Sequence, residues 1–253
     1  MARAWRENRP WALANLAHAA YHRDETIGRL MDAMGARATE IYQTGGAKAF
    51  LSVWPDRAVL SFRGTQPNVT RPLPPGPWRE IKDLLESRLG MDLPGEYRSF
   101  LAHGLLADLK FRRADEGAAR VHRGFLQELD KLWPVGLQAR LERLKVPVWA
   151  TGHSLGGAMA TIAGLRHRFT DVVTFGEPRV GRRVAAGFKA EGHTRYVHGQ
   201  DPVPNLPPDW WPFNYQHHGK EIAILAAQGP DPLTDHAIVY YAETLAAPAG
   251  VLK

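Results

Sequence analysis

Residues 152–156 read Gly-His-Ser-Leu-Gly and fit the pattern G-x-S-x-G. The apolar run "VPVWAT" ends just before them, and the small-residue run "GAMATIAG" follows from Gly157. Ser154 therefore falls where a strand turns sharply into a helix. A turn of that kind pushes the serine hydroxyl out above the sheet, where it can attack an acyl carbon. The rival reading is a plain turn residue among glycines, and the flanking strand and helix weigh against it. The N-terminus of a helix also favours negative charge developing near Ser154. The backbone N–H of Leu155 would be one donor to an oxyanion.

A serine at its ordinary pKa needs a base, and eleven histidines are available. His153 adjoins Ser154, so its side chain is expected to point away and give structural support. His122 precedes a helix early in the chain. His217 and His218 stand together, but no carboxylates at ligand spacing accompany them, so a metal site is not expected. His236 opens the final helix after the last strand, where the order Ser, acid, His places a base. Among acids, Asp201 in "YVHGQDPVPNLPP" follows a strand directly. Glu177 after "DVVTF" is the runner-up. Asp171 begins a strand at the wrong end of the sheet, and Asp235 adjoins His236 too closely to orient it. Asp201 would hold the His236 tautomer and stabilise the imidazolium. A second oxyanion donor belongs on a loop after an early strand, and Thr65 in "AVLSFRGTQ" fits.

These residues need strands and helices to carry them. "AFLSVW" and "AVLSF" read as strands joined at Pro55-Asp56. A helix over 124–144 is interrupted at Pro134 and Gly136. The strand "VPVWAT", a helix over 155–167, the strand "DVVTF", the strands "TRYVHG" and "EIAILA" and a helix over 236–246 follow. This alternation predicts an α/β fold with a mainly parallel central sheet and helices on both faces. Ligands of such sheets sit at the carboxyl ends of the strands. Residues 66–103 break the pattern with six prolines around "WREIKDLLESRLG". Trp78, Ile81, Leu85 and Leu89 fall at helical spacing there. Pro77 and Gly90 suit the two ends of a short amphipathic helix. It reads either as an ordinary surface helix or as a lid over an apolar site.

Composition bounds the alternatives. The 253 residues are expected to form a single domain, 1–253, with an insertion at about 66–103. Without cysteines, disulfides, thiolate zinc sites and cysteine nucleophiles are excluded. The net charge of +6 comes from scattered basic residues rather than a dense tract, so nucleic-acid binding is not expected. No apolar run reaches the ~18 residues of a membrane span. The start "MARAWRENRPWALANLAHAA" loosely mimics a leader peptide. Its apolar stretch is short and interrupted by Asn15 and His18, and Leu13, Leu16 and Ala20 fit one face of a helix. A mature N-terminal helix is the preferred reading, and a cytoplasmic location is preferred to secretion.

The motifs together resemble the class 3 lipase family, of the filamentous-fungal triacylglycerol lipase type. They are "NLAHAAY", "AFLSVW", "VLSFRGT", "LLADLKF", "VHRGF", "TGHSLGGAMA", "TFGEPRVG", "YVHGQDPVPNLPP" and "DHAIVYY", in family order over about residues 15–241. The resemblance implies an α/β-hydrolase fold, Ser154, Asp201 and His236 as a triad, and Thr65 with Leu155 as an oxyanion hole. It implies a hinged lid after "FRGT", hydrolysis of carboxylic esters and no cofactor. A lipid ester is the implied substrate, with transient binding to a lipid–water interface. Triacylglycerol lipase is the first expectation. Phospholipase A1, monoacylglycerol lipase or feruloyl esterase are alternatives, and a non-catalytic lipid-binding protein is the rival of another class. The stretch 66–103 is longer than in the fungal type, and the fungal-type disulfides are absent.

Overall fold

The structure is a computed structural model that describes residues 2–65, 113–133, 136–210, 213–225 and 234–246. The chain divides into two compact units, 1–64 with 113–253, and 65–112. Of the second unit only Thr65 is described, so Trp78, Ile81, Leu85 and Leu89 lie outside the described residues.

The first unit is built on a seven-stranded sheet. Three helices, α1 (Ala2–Glu7), α2 (Arg9–Ala19) and α3 (Asp24–Ala33), lead into β1 (Ala38–Thr44), β2 (Ala47–Val53) and β3 (Ala58–Phe62). After the second unit come β4 (Arg113–Glu116), β5 (Ala119–His122), α4 (Arg123–Leu132) and α5 (Leu137–Glu142). Then follow β6 (Val148–His153), α6 (Leu155–Arg166), β7 (Asp171–Phe175), β8 (Gly181–Arg182) and α7 (Val184–Gly187). The chain continues with β9 (His193–His198), β10 (Lys220–Ile224) and α8 (Ile238–Ala246). The sheet order is β1-β2-β3-β6-β7-β9-β10. β1, β2 and β3 pair antiparallel, and every pair from β3 to β10 is parallel. The mainly parallel sheet expected from the sequence is therefore present. A small antiparallel sheet, β4-β5-β8, stands beside it.

The parallel strands are apolar because both of their faces are covered. β3 and β6 are buried along their whole length. On one face α6 packs over β3, β6 and β7, with α4 against α6. Phe125, Leu126, Leu129 and Leu132 recur at helical spacing and turn the buried stripe of α4 inward. On the other face α2 lies between the sheet and α8. The sequence suggested one apolar face for this N-terminal helix. The structure buries Ala12, Leu13, Ala14, Leu16, Ala17 and Ala19 and leaves a partly exposed stripe of Trp11, Asn15 and His18, since alanines let the sheet and α8 both approach closely. Trp5 of α1 meets Trp149 edge to face at 4.9 Å, and the Arg57 guanidinium lies 4.7 Å from the Trp5 ring centroid.

The expected interruption of the helix over 124–144 falls between α4 and α5, where Gly136 takes φ +94°. The expected opening of the last helix is adjusted. Residues Thr234–His236 form a single 3-10 turn and the α-helix begins at Ile238.

Candidate active site

The site is built from three segments that follow β6, β9 and β10 in the chain. The first is the turn between β6 and α6. Ser154 has φ 57° and ψ −127°, a conformation that L-residues seldom adopt. The turn is held by the Ser154 N–H donating to the Phe175 carbonyl at 3.0 Å. Close backbone approach explains the glycines. A Cβ on Gly152 would sit 2.3 Å from the Gly156 backbone, and one on Gly156 would sit 2.3 Å from the Phe62 carbonyl oxygen. Only glycine at both positions lets β6, α6 and the end of β3 meet there. Leu155 opens α6, and the first N–H groups of a helix have no intrahelical acceptor.

The second loop follows β9. Gly199 turns the chain with φ +50°, and the Asp201 N–H returns to the His198 carbonyl at 2.9 Å. The Asp201 carboxylate is buried and fully engaged. It accepts from Val203 N at 2.9 Å, from Tyr241 OH at 2.5 Å, and from His236 Nδ1 at 2.9 and 3.0 Å. Burial pushes this carboxyl up, but the His236 charge and the hydrogen bonds from His236, Tyr241 and Val203 outweigh it and hold it below its ordinary value. Tyr241, from α8, responds oppositely: burial and the Asp201 charge raise its hydroxyl well above the usual range.

The third loop is the 3-10 turn that carries His236. Its Nδ1 faces a carboxylate, which only accepts, so Nδ1 bears the proton in the neutral ring. Its Nε2 lies 3.0 Å from Ser154 Oγ and accepts from the hydroxyl. Ser154, His236 and Asp201 are thus brought into one line of hydrogen bonds, all three buried. Thr65 directly follows Gly64, just beyond β3, and begins the second unit.

The other histidines and acids fall elsewhere. His122 caps α4, its Nδ1 accepting from Phe125 N at 3.4 Å. His217 Nε2 donates to the Pro204 carbonyl at 2.8 Å, and burial, then the Arg195 charge, lower its pKa to about 4. His218 packs against Phe188 and His193. Glu177 is buried among Thr161, Thr174 and His193. Asp235 turns away from its neighbour and accepts from Gln200 N at 2.7 Å, with His198 Nδ1 at 3.1 Å. It ties the His236 turn to the Asp201 loop. Among the described residues, no three His, Asp or Glu side chains are grouped to hold a metal.

His153 was expected to point away from the nucleophile. It does, and its ring bridges two elements instead. Nε2 donates to the His236 carbonyl at 2.6 Å, and Nδ1 accepts from Tyr21 OH at 2.8 Å. Sequence reasoning missed both Tyr21 and Tyr241. The first sits two residues beyond α2 and the second inside α8, and neither position has a local pattern that marks a polar role.

This constellation defines a protein with a strained serine elbow on a doubly covered parallel sheet. The chain shares its α/β-hydrolase fold with the lipase from Rhizopus microsporus var. chinensis, at TM-score 0.57 and 24% identity over 88% of this chain and 75% of that one. The sequence pattern of the family described as Lipase (class 3) matches residues 97–210. Lipase A of Sodiomyces alcalophilus is 35% identical over 144 residues, covering 46% of this chain and 33% of that protein. Secreted mono- and diacylglycerol lipase 1 of Fusarium solani is 38% identical over 113 residues, covering 40% of this chain and 33% of that protein. The chain spans about a third of the length of these curated relatives. Over residues 97–210 the chain is similar to class 3 lipases. The preference for a cytoplasmic location is overturned by a relative whose name states that it is secreted. A short, interrupted apolar stretch at the start of the sequence was the basis of that preference, and it carries too little information to set a compartment.

Proposed function

We propose that this chain is a serine carboxylic-ester hydrolase acting on acylglycerol esters. The observation that carries the reading is the unbroken line Ser154–His236–Asp201, headed by a serine in a strained backbone conformation. His236 Nε2 takes the proton as Ser154 Oγ attacks the ester carbonyl carbon. The tetrahedral oxyanion is met by the Leu155 N–H at the start of α6, a donor of the kind that typically contributes about 3 kcal/mol. The imidazolium returns its proton to the leaving alcohol, and an acyl-enzyme remains. Water, deprotonated by the same His236, attacks that ester and releases the acid. Asp201 stays ionised throughout, since its donors are already in place, and it stabilises the imidazolium.

The acylglycerol class is supported by the printed names of the relatives, a mono- and diacylglycerol lipase among them. Within that class a triacylglycerol is the first substrate to test. The deciding experiment measures initial rates on triacylglycerol, diacylglycerol, monoacylglycerol, phospholipid and feruloyl ester panels, with Ser154→Ala beside the wild type. Acylglycerol hydrolysis that falls by more than about 10⁴-fold in a folded Ser154→Ala supports the reading. Activity retained by that variant, or confined to feruloyl esters, overturns it.

A further inference from the structure

Three groups near the catalytic line take no direct part in it: the buried His153, the half-buried Tyr21 and the buried backbone of Gly64. Their geometry is continuous. The His236 carbonyl only accepts, so His153 Nε2, 2.6 Å away, bears a proton. Burial, then the His236 charge, lower the His153 pKa to about 3, so the ring is neutral and has just that one proton. Nδ1 must then accept, and its neighbour at 2.8 Å is the Tyr21 hydroxyl, which donates. The Tyr21 oxygen in turn takes the backbone N–H of Gly64. There is no space for a side chain at Gly64. A Cβ there would lie 2.1 Å from the Tyr21 hydroxyl oxygen and 2.5 Å from the His153 carbonyl oxygen. The path therefore runs from the end of β3, through the residue before the nucleophile, to the backbone of the base.

A hydroxyl on one side and a carbonyl on the other leave His153 a single tautomer. Its ring also lies beside that of His236, centroids 4.6 Å apart and planes 37° from parallel.

We propose that His153 is a positioning residue: locked as the Nε2–H tautomer by Tyr21, it holds the His236 backbone and so sets the ring that takes the proton of Ser154. The inference rests on the triad reading above and deepens it. The 3-10 turn carrying His236 is one turn long, and such a turn has few bonds of its own to fix a ring. A displacement of about 1 Å at a reacting group can cost about 100-fold in rate.

The test uses the full chain and a soluble short-chain p-nitrophenyl ester, with kcat, KM and Tm read for His153→Met, His153→Gln, Tyr21→Phe and Ser154→Ala. His153→Met keeps an apolar body but has no donor, and kcat is expected to fall by about 10- to 100-fold with KM unchanged. His153→Gln restores an N–H at similar reach and should recover most of that loss. Tyr21→Phe, which keeps the His153 ring, should lower kcat by a smaller factor. If His153→Met does not fold, Tyr21→Phe and His153→Gln decide. Wild-type kcat in Tyr21→Phe together with no gain of Gln over Met, or losses that only track Tm, overturn the inference while leaving the triad intact. Ester hydrolysis that survives Ser154→Ala overturns both.

Discussion

Among the described residues three buried acid–histidine pairs occur, Asp201–His236, Glu177–His193 and Asp235–His198, and the first two differ in what surrounds the ring. Asp201 meets His236 Nδ1 at 2.9 Å, and His236 Nε2 faces Ser154. Glu177 meets His193 Nε2 at 3.0 Å, but Thr161 and Thr174 close the same cluster and no strained serine is present. Both carboxyls resist burial in the same way, since each is held below its ordinary value by its histidine and its hydroxyl donors. A paired acid and histidine thus provide polarity and orientation, and they become a proton-transfer device only with a nucleophile at the second nitrogen. The position of the histidine also separates them. Asp201 and His236 lie on loops, where a ring can face an incoming ester. His193 opens β9 and Thr161 lies mid-helix in α6, where the network ties the helix to the sheet.

The contrast can be broken by exchanging charge for an amide on each side. Asp201→Asn is expected to lower kcat by about 10⁴-fold, because the amide no longer fixes the His236 tautomer or meets its positive charge. Glu177→Gln is expected to leave kcat within a few-fold but to destabilise the chain by about 3–5 kcal/mol, since it leaves a buried network with a mismatched partner. Denaturant unfolding and steady-state kinetics on the two variants check this, and a large kcat loss in a folded Glu177→Gln would dissolve the distinction. Tyr241→Phe sharpens it further. It removes one donor from Asp201 and is expected to reduce stability by about 1.5–3 kcal/mol and kcat by about tenfold, far less than Asp201→Asn.

A further effect is on acid stability. His153 has an ordinary value of 6.5 and a folded value of about 3, so the unfolded chain binds its proton first as pH falls. Stability that is present above pH 6.5 is lost progressively as pH falls towards 3. The Asp201 and Glu177 carboxyls, with ordinary values of 3.8 and 4.5 and lower folded ones, add to the loss from about pH 4.5 down. His153→Gln should flatten the upper part of this slope and Glu177→Gln the lower part, as read by thermal unfolding at a series of pH values.

The ends of strands were the legible part of the sequence. Ser154, Asp201 and His236 each follow an apolar run, and that placement together with chain order brought forward the three residues now found in hydrogen-bond contact. Strands β2, β3, β6, β7, β9 and β10 were legible for the same reason, being apolar runs between breakers. β1 was not, because "ATEIYQT" is an edge strand with partly exposed, mixed residues. β4 and β5 are four residues each, and "RADE" carries almost no apolar signal. The bonds of Tyr21, Tyr241 and His153 were not legible either. They join residues 132, 40 and 83 positions apart, and no local periodicity encodes a contact that only the folded sheet creates. His153 shows the difference clearly: adjacency to Ser154 said that its ring turns away, but not what it turns towards.

The central claim is that Ser154, activated through His236 and Asp201, is the nucleophile. It is tested most directly by treating the folded chain with a p-nitrophenyl phosphonate and locating the adduct by peptide mass spectrometry while ester hydrolysis is followed. The account predicts one adduct per chain, on Ser154, formed in step with the loss of activity, retained in Glu177→Gln and slowed strongly in Asp201→Asn. An adduct on another residue, or full labelling of Ser154 with activity intact, would contradict it.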